Sequence, residues 1–325
     1  MYKSIRFIIL AGLFFSLSMT FGCAPSQYKV NTPKPSLNQF ADSTDDQLIA
    51  QIVDERREGD KKFHVGVLPS TLINEGKPID PVEFLTRNIE NELKARGVNI
   101  SFATNSDSQD DVIVKLKKFR IRNHRASGFS PYFTFTTISA DVETGDKSTR
   151  VTAYFSNGKV PVWSFDEVID PCYNIPVNFA IKEFASKINR LTANYSITDS
   201  DVDAISIEIK NNYSELSYLE VYKLGFGNNK RAIPYLVELT KHENSLVRIA
   251  ALASLGTIGA VDQFDYLKRI YNTSPWRQKS MALKSIGDFG TSEGVSFIKD
   301  AMRELQSNND DPNDKYIIEV ASLYL

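Results

Sequence analysis

The feature that most constrains this chain is a 31-residue period in its last third. Leu224-Gly225, Leu255-Gly256 and Ile286-Gly287 recur at that interval (255 − 224 and 286 − 255). The register reaches well past one dipeptide: Val221, Leu252 and Leu283 align, as do Ile233, Phe264 and Val295, then Tyr235, Tyr266 and Phe297, then Leu236, Leu267 and Ile298. Apolar residues at fixed offsets with a period of roughly 20–50 residues mean stacked supersecondary units, none of which can bury its apolar stripe without a neighbour.

Each unit reads as two short helices. Ile233, Leu236, Val237 and Thr240 follow helical spacing, and after Asn244-Ser245 a second helix carries Val247, Ile249, Ala250, Leu252, Ala253 and Leu255. Gly225, Gly256 and Gly287 are expected as C-caps, where a left-handed residue costs glycine little. The aligned Tyr235, Tyr266 and Phe297 are expected to pack in the core. In the last unit Leu323 follows Ile286 by 37 positions (323 − 286), with a polar stretch at 306–314, so an insertion of about six residues precedes a terminal capping helix.

Residues 232–259, AIPYLVELTKHENSLVRIAALASLGTIG, resemble HEAT repeats, and in particular the short HEAT-like repeats of phycobilisome lyases. Val247-Arg248 before an alanine-rich helix ending in Leu-Gly carries the resemblance, which extends over residues 216–325. It implies an α-solenoid that presents an elongated surface to proteins or peptides, with no catalytic chemistry of its own.

Upstream the pattern changes to strands with two flanking helices. Strands are expected at 63–69, 99–103, 111–122, 132–143, 148–154 and 160–165, with turns at Gly145-Asp146 and Asn157-Gly158. Asp80-Pro81-Val82-Glu83 opens a helix whose face is Val82, Leu85, Ile89 and Leu93, and Val177, Ile181, Phe184, Ile188 and Leu191 mark another. The fold class is therefore α+β: a sandwich with helices on one face of a meander, followed by the solenoid. The order of elements, with Gly158 to Trp163 as a Gly-x-x-x-x-Trp hairpin, is similar to small envelope lipoproteins of the YajG and transport-auxiliary kind, which implies an adaptor or assembly role.

The N-terminus supplies an address. Lys3 and Arg6 precede an apolar run at 7–17, too short for the about 20 residues that cross a bilayer, so residues 1–22 read as a signal peptide. Thr20-Phe21-Gly22-Cys23 resembles a lipobox, which implies lipid on Cys23. Ala24 is not the Asp of an inner-membrane retention signal, so the expected location is the outer membrane, facing the periplasm. Residues 23–60, with Pro25, Pro33 and Pro35, are expected as anchor and flexible tether; its first ~25 residues would reach roughly 28 Å as a coil and at most ~80 Å extended. The α+β domain would then occupy 61–195 and the repeats 196–325. Cys172, without a CxxC partner, is expected as a buried free thiol.

A formal net charge of −2 gives no bulk reason to bind nucleic acid. No P-loop or dinucleotide-binding glycine pattern occurs, so no cofactor is expected. His64, His124 and His242 are too scattered for a zinc site. Ser292 in Gly290-Thr291-Ser292-Glu293-Gly294 mimics a nucleophile elbow but follows a helix, not a strand, and is expected to start the next helix. The acidic run 199–203 lacks the glycine and the closing Glu of a calcium loop, and is expected to cap a helix. Lys115, Lys117, Lys118, Arg120 and Arg122 crowd one strand, and alternation with Val114, Leu116, Phe119 and Ile121 places much of this charge on one face, with an irregularity expected near Lys117-Lys118. Such a stripe would meet anionic lipid headgroups or lipopolysaccharide; an edge-protecting or solvated strand is the alternative. The leading expectation is a non-enzymatic, membrane-anchored adaptor binding envelope proteins through the solenoid. Lipid or lipopolysaccharide handling and an envelope enzyme subunit compete with it.

Overall fold

Residues 112–159 carry the longest alternation of buried and half-exposed side chains in the chain, and they form three 13-residue strands around which the rest packs. The computed structural model describes residues 27–37, 40, 47–68, 70–103, 110–307 and 311–325. The expected signal peptide and Cys23 lie outside the described residues. Strands β7 (Val112–His124), β8 (Tyr132–Thr144) and β9 (Lys147–Lys159) form an antiparallel meander. Gly145, at φ 57°, makes the tight turn between the last two. In β7 the buried set changes parity, from Val114 and Leu116 to Phe119 and Ile121. One extra residue must be absorbed, and the register slips between Leu116 and Lys118 as a β-bulge.

The meander is one side of a mixed sheet. Strands β2 (Leu48–Asp54), β3 (His64–Gly66) and β6 (Ile100–Phe102) complete it in the order β6-β2-β7-β8-β9, with β3 parallel to the far end of β7. A second, small sheet joins β1 (Gln27–Lys29), β4 (Thr71–Asn74) and β5 (Lys77–Pro78). These positions correct the expected tether. Tyr28 and Val30 are buried beside β4, and Ala50 is wholly buried at the centre of β2. The alternation of Leu48, Ala50 and Ile52 is a strand signature inside a polar tract, and it outweighs the prolines upstream.

Helix α1 (Pro81–Ala95) starts as expected, with the Asp80 carboxylate accepting from the amides of Val82 and Glu83, both at 2.9 Å. Its Leu85, Ile89 and Leu93 and the Val177, Ile181, Phe184 and Ile188 of α2 (Ile175–Leu191) are buried against one sheet face. Burial of each such side chain contributes about 1.5–3 kcal/mol. Two expectations fail here. Asn157-Gly158 is not a turn, because β9 runs on opposite Tyr132 to Thr134, and Gly158 lies so close to the Phe133 ring that a Cβ would stand 2.4 Å from it. Residues 160–165 form no strand, and Trp163 is exposed. Nor are helices confined to one sheet face: the C-terminal helix and the chain's last residues cover the other.

The repeats pair an outer with an inner helix. The outer helices are α3 (Asp199–Asn211), α5 (Ile233–Leu239), α7 (Phe264–Thr273) and α9 (Ser292–Ser307); the inner ones are α4 (Ser217–Phe226), α6 (Ser245–Ile258), α8 (Trp276–Asp288) and α10 (Asp314–Ala321). The periodic Val221, Leu252 and Leu283 and the set Leu236, Leu267 and Ile298 are buried at the core, as the period requires. The aromatic set is only half-buried. Tyr235 donates to Asp203 at 3.1 Å and the Tyr266 hydroxyl meets that of Thr240 at 2.5 Å, so these rings tie successive outer elements together.

The periodic glycines are not caps. Gly225, Gly256 and Gly287 lie inside helices, where a Cβ would come within 2.6 Å of Ser254, 2.6 Å of Ser285 and 2.7 Å of the Tyr324 ring. Gly225 and Gly256 let inner helices touch backbone to backbone, while Gly287 admits the Tyr324 ring, and the serines bond across: Ser254 donates to the Val221 carbonyl at 3.1 Å and Ser285 to that of Leu252 at 2.6 Å. The left-handed residues that follow inner helices are Asn228, Gly259 and Gly290, at φ 56°, 73° and 65°, themselves 31 apart (259 − 228 and 290 − 259). Part of the expected insertion lengthens α9, which ends at Ser307. Ser292 starts that helix, as expected.

Candidate interaction surface

The inner helices all end against the body, and what meets them there follows the same period. The carbonyls of Phe226, Thr257 and Asp288 stand at or just before the ends of α4, α6 and α8, spaced by 31 (257 − 226 and 288 − 257). Such carbonyls lack intrahelical partners. Arg96, wholly buried at the end of α1, donates to the Phe226 carbonyl at 2.6 Å, and Ser186 of α2 adds a bond at 3.1 Å. Arg190 of α2 donates to Thr257 at 2.5 Å and to Gly256 and Asp288 at 3.3 Å each. Cations at helix C-termini are also favoured by the helix dipole.

Between these contacts lies a buried tetrad. Glu183 and Lys187 are one turn apart on α2, and Lys284 and Asp288 one turn apart on α8. Lys187 bonds Glu183 at 2.7 Å and Asp288 at 2.6 Å; Lys284 bonds Asp288 at 2.8 Å and pairs closely with Glu183. Lys187 also donates to the Thr152 carbonyl at 2.8 Å, on edge strand β9. Tyr324 donates to Asp288 at 2.7 Å and accepts from Thr152 at 2.7 Å. Burial alone would raise the Asp288 carboxyl, but the two ammonium groups outweigh it and hold it down at about 2. Two positive and two negative groups cancel, which is what allows them to leave water together.

Residues 221–287 match the family model of HEAT repeats. That span runs from the middle of α4 to near the end of α8. HEAT repeats commonly mediate protein–protein interaction, and their presence here suggests an interaction scaffold. Among solved structures, a minor lipoprotein from Acinetobacter baumannii is similar at 14% identity, over 45% of this chain and 91% of that one, with a TM-score of 0.26. No curated protein matches the chain.

In these HEAT repeats the inner row is occupied by the chain's own sheet and α2, which leaves the outer row. There, α3 and α5 bound a groove of about 480 Å³ with a floor of Ile209 and Leu239. Ile207 and Tyr213 line it and remain 57% and 43% exposed. The groove is held open by polar links at its rim. Arg231 pairs with Asp203 at 2.8 Å and holds that carboxyl below its usual range, while the Tyr213 hydroxyl accepts from Asn244 at 2.7 Å and its ring lies 5.0 Å from that of His242. The Ser206 hydroxyl is buried without a partner among the described residues.

The basic strand is not an open stripe. Lys115, Lys118, Arg120 and Arg122 share one face of β7, as expected, but it is the face toward the C-terminal helix. Lys115 pairs with Glu143 at 2.6 Å, Lys117 with Glu55 and with Asp141 at 3.5 Å, and Arg120 with Asp60 at 3.0 Å. Arg122 pairs with Glu319 of α10 and lies 4.3 Å over the Phe135 ring. Lys118 has no acidic partner among the described residues. The charge is compensated because acidic residues from β8, α10, the 58–60 turn and Glu55 just after β2 converge on it, a convergence that strand periodicity does not reveal.

Cys172 is buried and free, as expected, and burial pushes its thiol up to about 12, which disfavours the reactive thiolate. The acidic run 199–203 caps by a different residue than expected: Thr198 is the N-cap and Asp201 completes a capping box with it. His64 is held in the core by Tyr173 at 3.0 Å and Asn123 at 2.9 Å, and burial lowers its pKa. Arg96, Arg190, Glu183 and Lys284 had no local signal of their function beyond i,i+4 spacing, since their partners lie 66 to 130 positions away.

Proposed function

We propose that this protein is a lipid-anchored, non-enzymatic envelope adaptor that docks an apolar segment of a partner protein in the α3–α5 groove. The observation that carries this is the division of the HEAT repeats: the inner row is filled by the chain's own body, while the outer row keeps exposed apolar side chains around a groove. An extended concave or grooved surface is the usual means by which solenoids bind, and Ile207 and Tyr213 are the side chains placed to anchor a partner there.

The address rests on Cys23 and the basic and apolar residues before it. Lipid on Cys23 would hold the body close to the bilayer, because only four peptide units separate it from Gln27 at the start of β1, at most about 14 Å of chain. The outer membrane, with the protein facing the periplasm, fits Ala24. The carboxylates around β7 leave the anionic-lipid reading of the basic strand with Lys118 as its main support.

A photo-crosslinking side chain placed at 207 or 213 in the native envelope tests the proposal. Both positions are expected to yield one shared adduct that a control at the exposed Lys299 does not, and a Cys23→Ser protein is expected to shift to the soluble fraction. No adduct from 207 or 213, or equal adducts from 299, would overturn the docking site. A Cys23→Ser protein still in the membrane would overturn the anchor.

A further inference from the structure

A second cleft, of about 260 Å³, opens where the body meets the starts of α8 and α10. Its walls are aromatic. Phe135 stacks on Tyr316 at 5.2 Å and 16°, Tyr316 stacks on Trp276 at 5.0 Å and 28°, and Phe133 lies opposite. Within this wall the Arg277 guanidinium stands 4.9 Å over the Phe133 ring and 5.2 Å from Trp276.

Arg277 differs from the other arginines around it. Arg122 has Glu319 and Arg150 has Asp141, whereas Arg277 pairs with no carboxylate among the described residues. It is half-buried, so its charge is neither neutralised nor fully hydrated. His124 lines the same cleft, and burial, with Lys315 and Arg122 nearby, lowers its pKa; it adds no carboxylate that could compete for Arg277. Aromatic faces beneath a guanidinium fix its plane and leave its edge N–H groups to an acceptor, the arrangement that binds carboxylates in bidentate fashion.

We infer that this cleft binds a carboxylate attached to an aromatic group, with the ring packed beside Trp276 and the carboxylate on Arg277. The same chemistry is offered by a small aromatic acid and by a protein chain that ends in an aromatic residue. The volume suits one such ring with its acid group. This site is separate from the α3–α5 groove, and neither depends on the other.

Trp163 and Trp276 are the only tryptophans, and Trp163 is exposed outside the cleft, so a Trp163→Phe full-length protein reports on Trp276 alone. Its fluorescence should be titrated with 3-phenylpropionate, with 3-phenylpropanamide, and with a pentapeptide ending in Phe as free acid or as amide. Saturable quenching by an acid, at least tenfold weaker for the matching amide and at least tenfold weaker after Arg277→Gln, is the expected result. Preference for the peptide acid over 3-phenylpropionate would assign the ligand to a chain end, and the reverse to a small acid. Equal binding of acid and amide by the Trp163→Phe protein, or no saturable binding of either acid, would overturn the inference even if the Arg277 variant failed to fold.

Discussion

Asp288 shows at the residue scale how a side chain can be structural without being apolar. It receives bonds from Lys187, Lys284 and Tyr324, which come from α2, α8 and the chain's last residues, and Tyr324 in turn accepts from Thr152 of β9. Its carboxyl is held at about 2 in the folded protein, below the ordinary value near 3.8. A depressed folded pKa gives stability that is present above the unfolded value and is lost as pH falls toward the folded one. The stability advantage of the wild type over Asp288→Asn, from urea unfolding, should therefore narrow between about pH 4 and pH 2. The narrowing should be on the order of 2 kcal/mol. A gap that stays constant over that range would mean the tetrad does not hold Asp288 charged.

At the scale of elements, the inner row depends on missing side chains. Gly256 is flanked by the Ser285 backbone at 2.6 Å and by the Asp288 carboxylate at 2.8 Å, as measured from the position a Cβ would take. Gly256→Ala must push α6 and α8 apart, and since the tetrad sits on α8 there is little room to yield. Unfolding in urea should show a loss of about 1–3 kcal/mol, the usual range for overpacking, although alanine is the better helix former. Alanine at 256 that leaves stability unchanged or raised would return this glycine to a conformational role.

The repeat was legible at this scale, because a 31-residue period in apolar residues survives in the sequence however the helices meet. The glycines were misassigned because Leu-Gly at a helix end and Leu-Gly at a helix crossing look the same until a neighbour is in place. Asn228, Gly259 and Gly290 carried the capping signal at the same period. Strand β2 was hidden by its length, seven residues inside a polar tract, and by needing two neighbours, β6 and β7, to bury Ala50. Of the sites, the basic strand could be read but not its counter-charges. The groove between α3 and α5 could not be read at all, since it arises from the spacing of two helices and from no motif.

At the scale of the whole molecule, the sheet and the HEAT repeats are bound by contacts of high sequence separation and low exposure. Arg96 reaches across 130 positions to Phe226, Lys284 across 101 to Glu183, and Arg122 across 197 to Glu319. Arg190 alone covers the ends of two inner helices, and each carbonyl left without a donor in that setting costs about 1–3 kcal/mol. A solenoid of this length has little core of its own and would normally unfold by repeats. Here its inner face is the body's outer layer.

Differential scanning calorimetry of the full chain tests that claim most directly. Body and repeats that form one unit predict a single transition whose calorimetric and van't Hoff enthalpies agree, which a chain of this size would not otherwise show. Two resolved transitions, or a calorimetric enthalpy about twice the van't Hoff value, would mean that the two halves fold separately and that the inner row is free to bind.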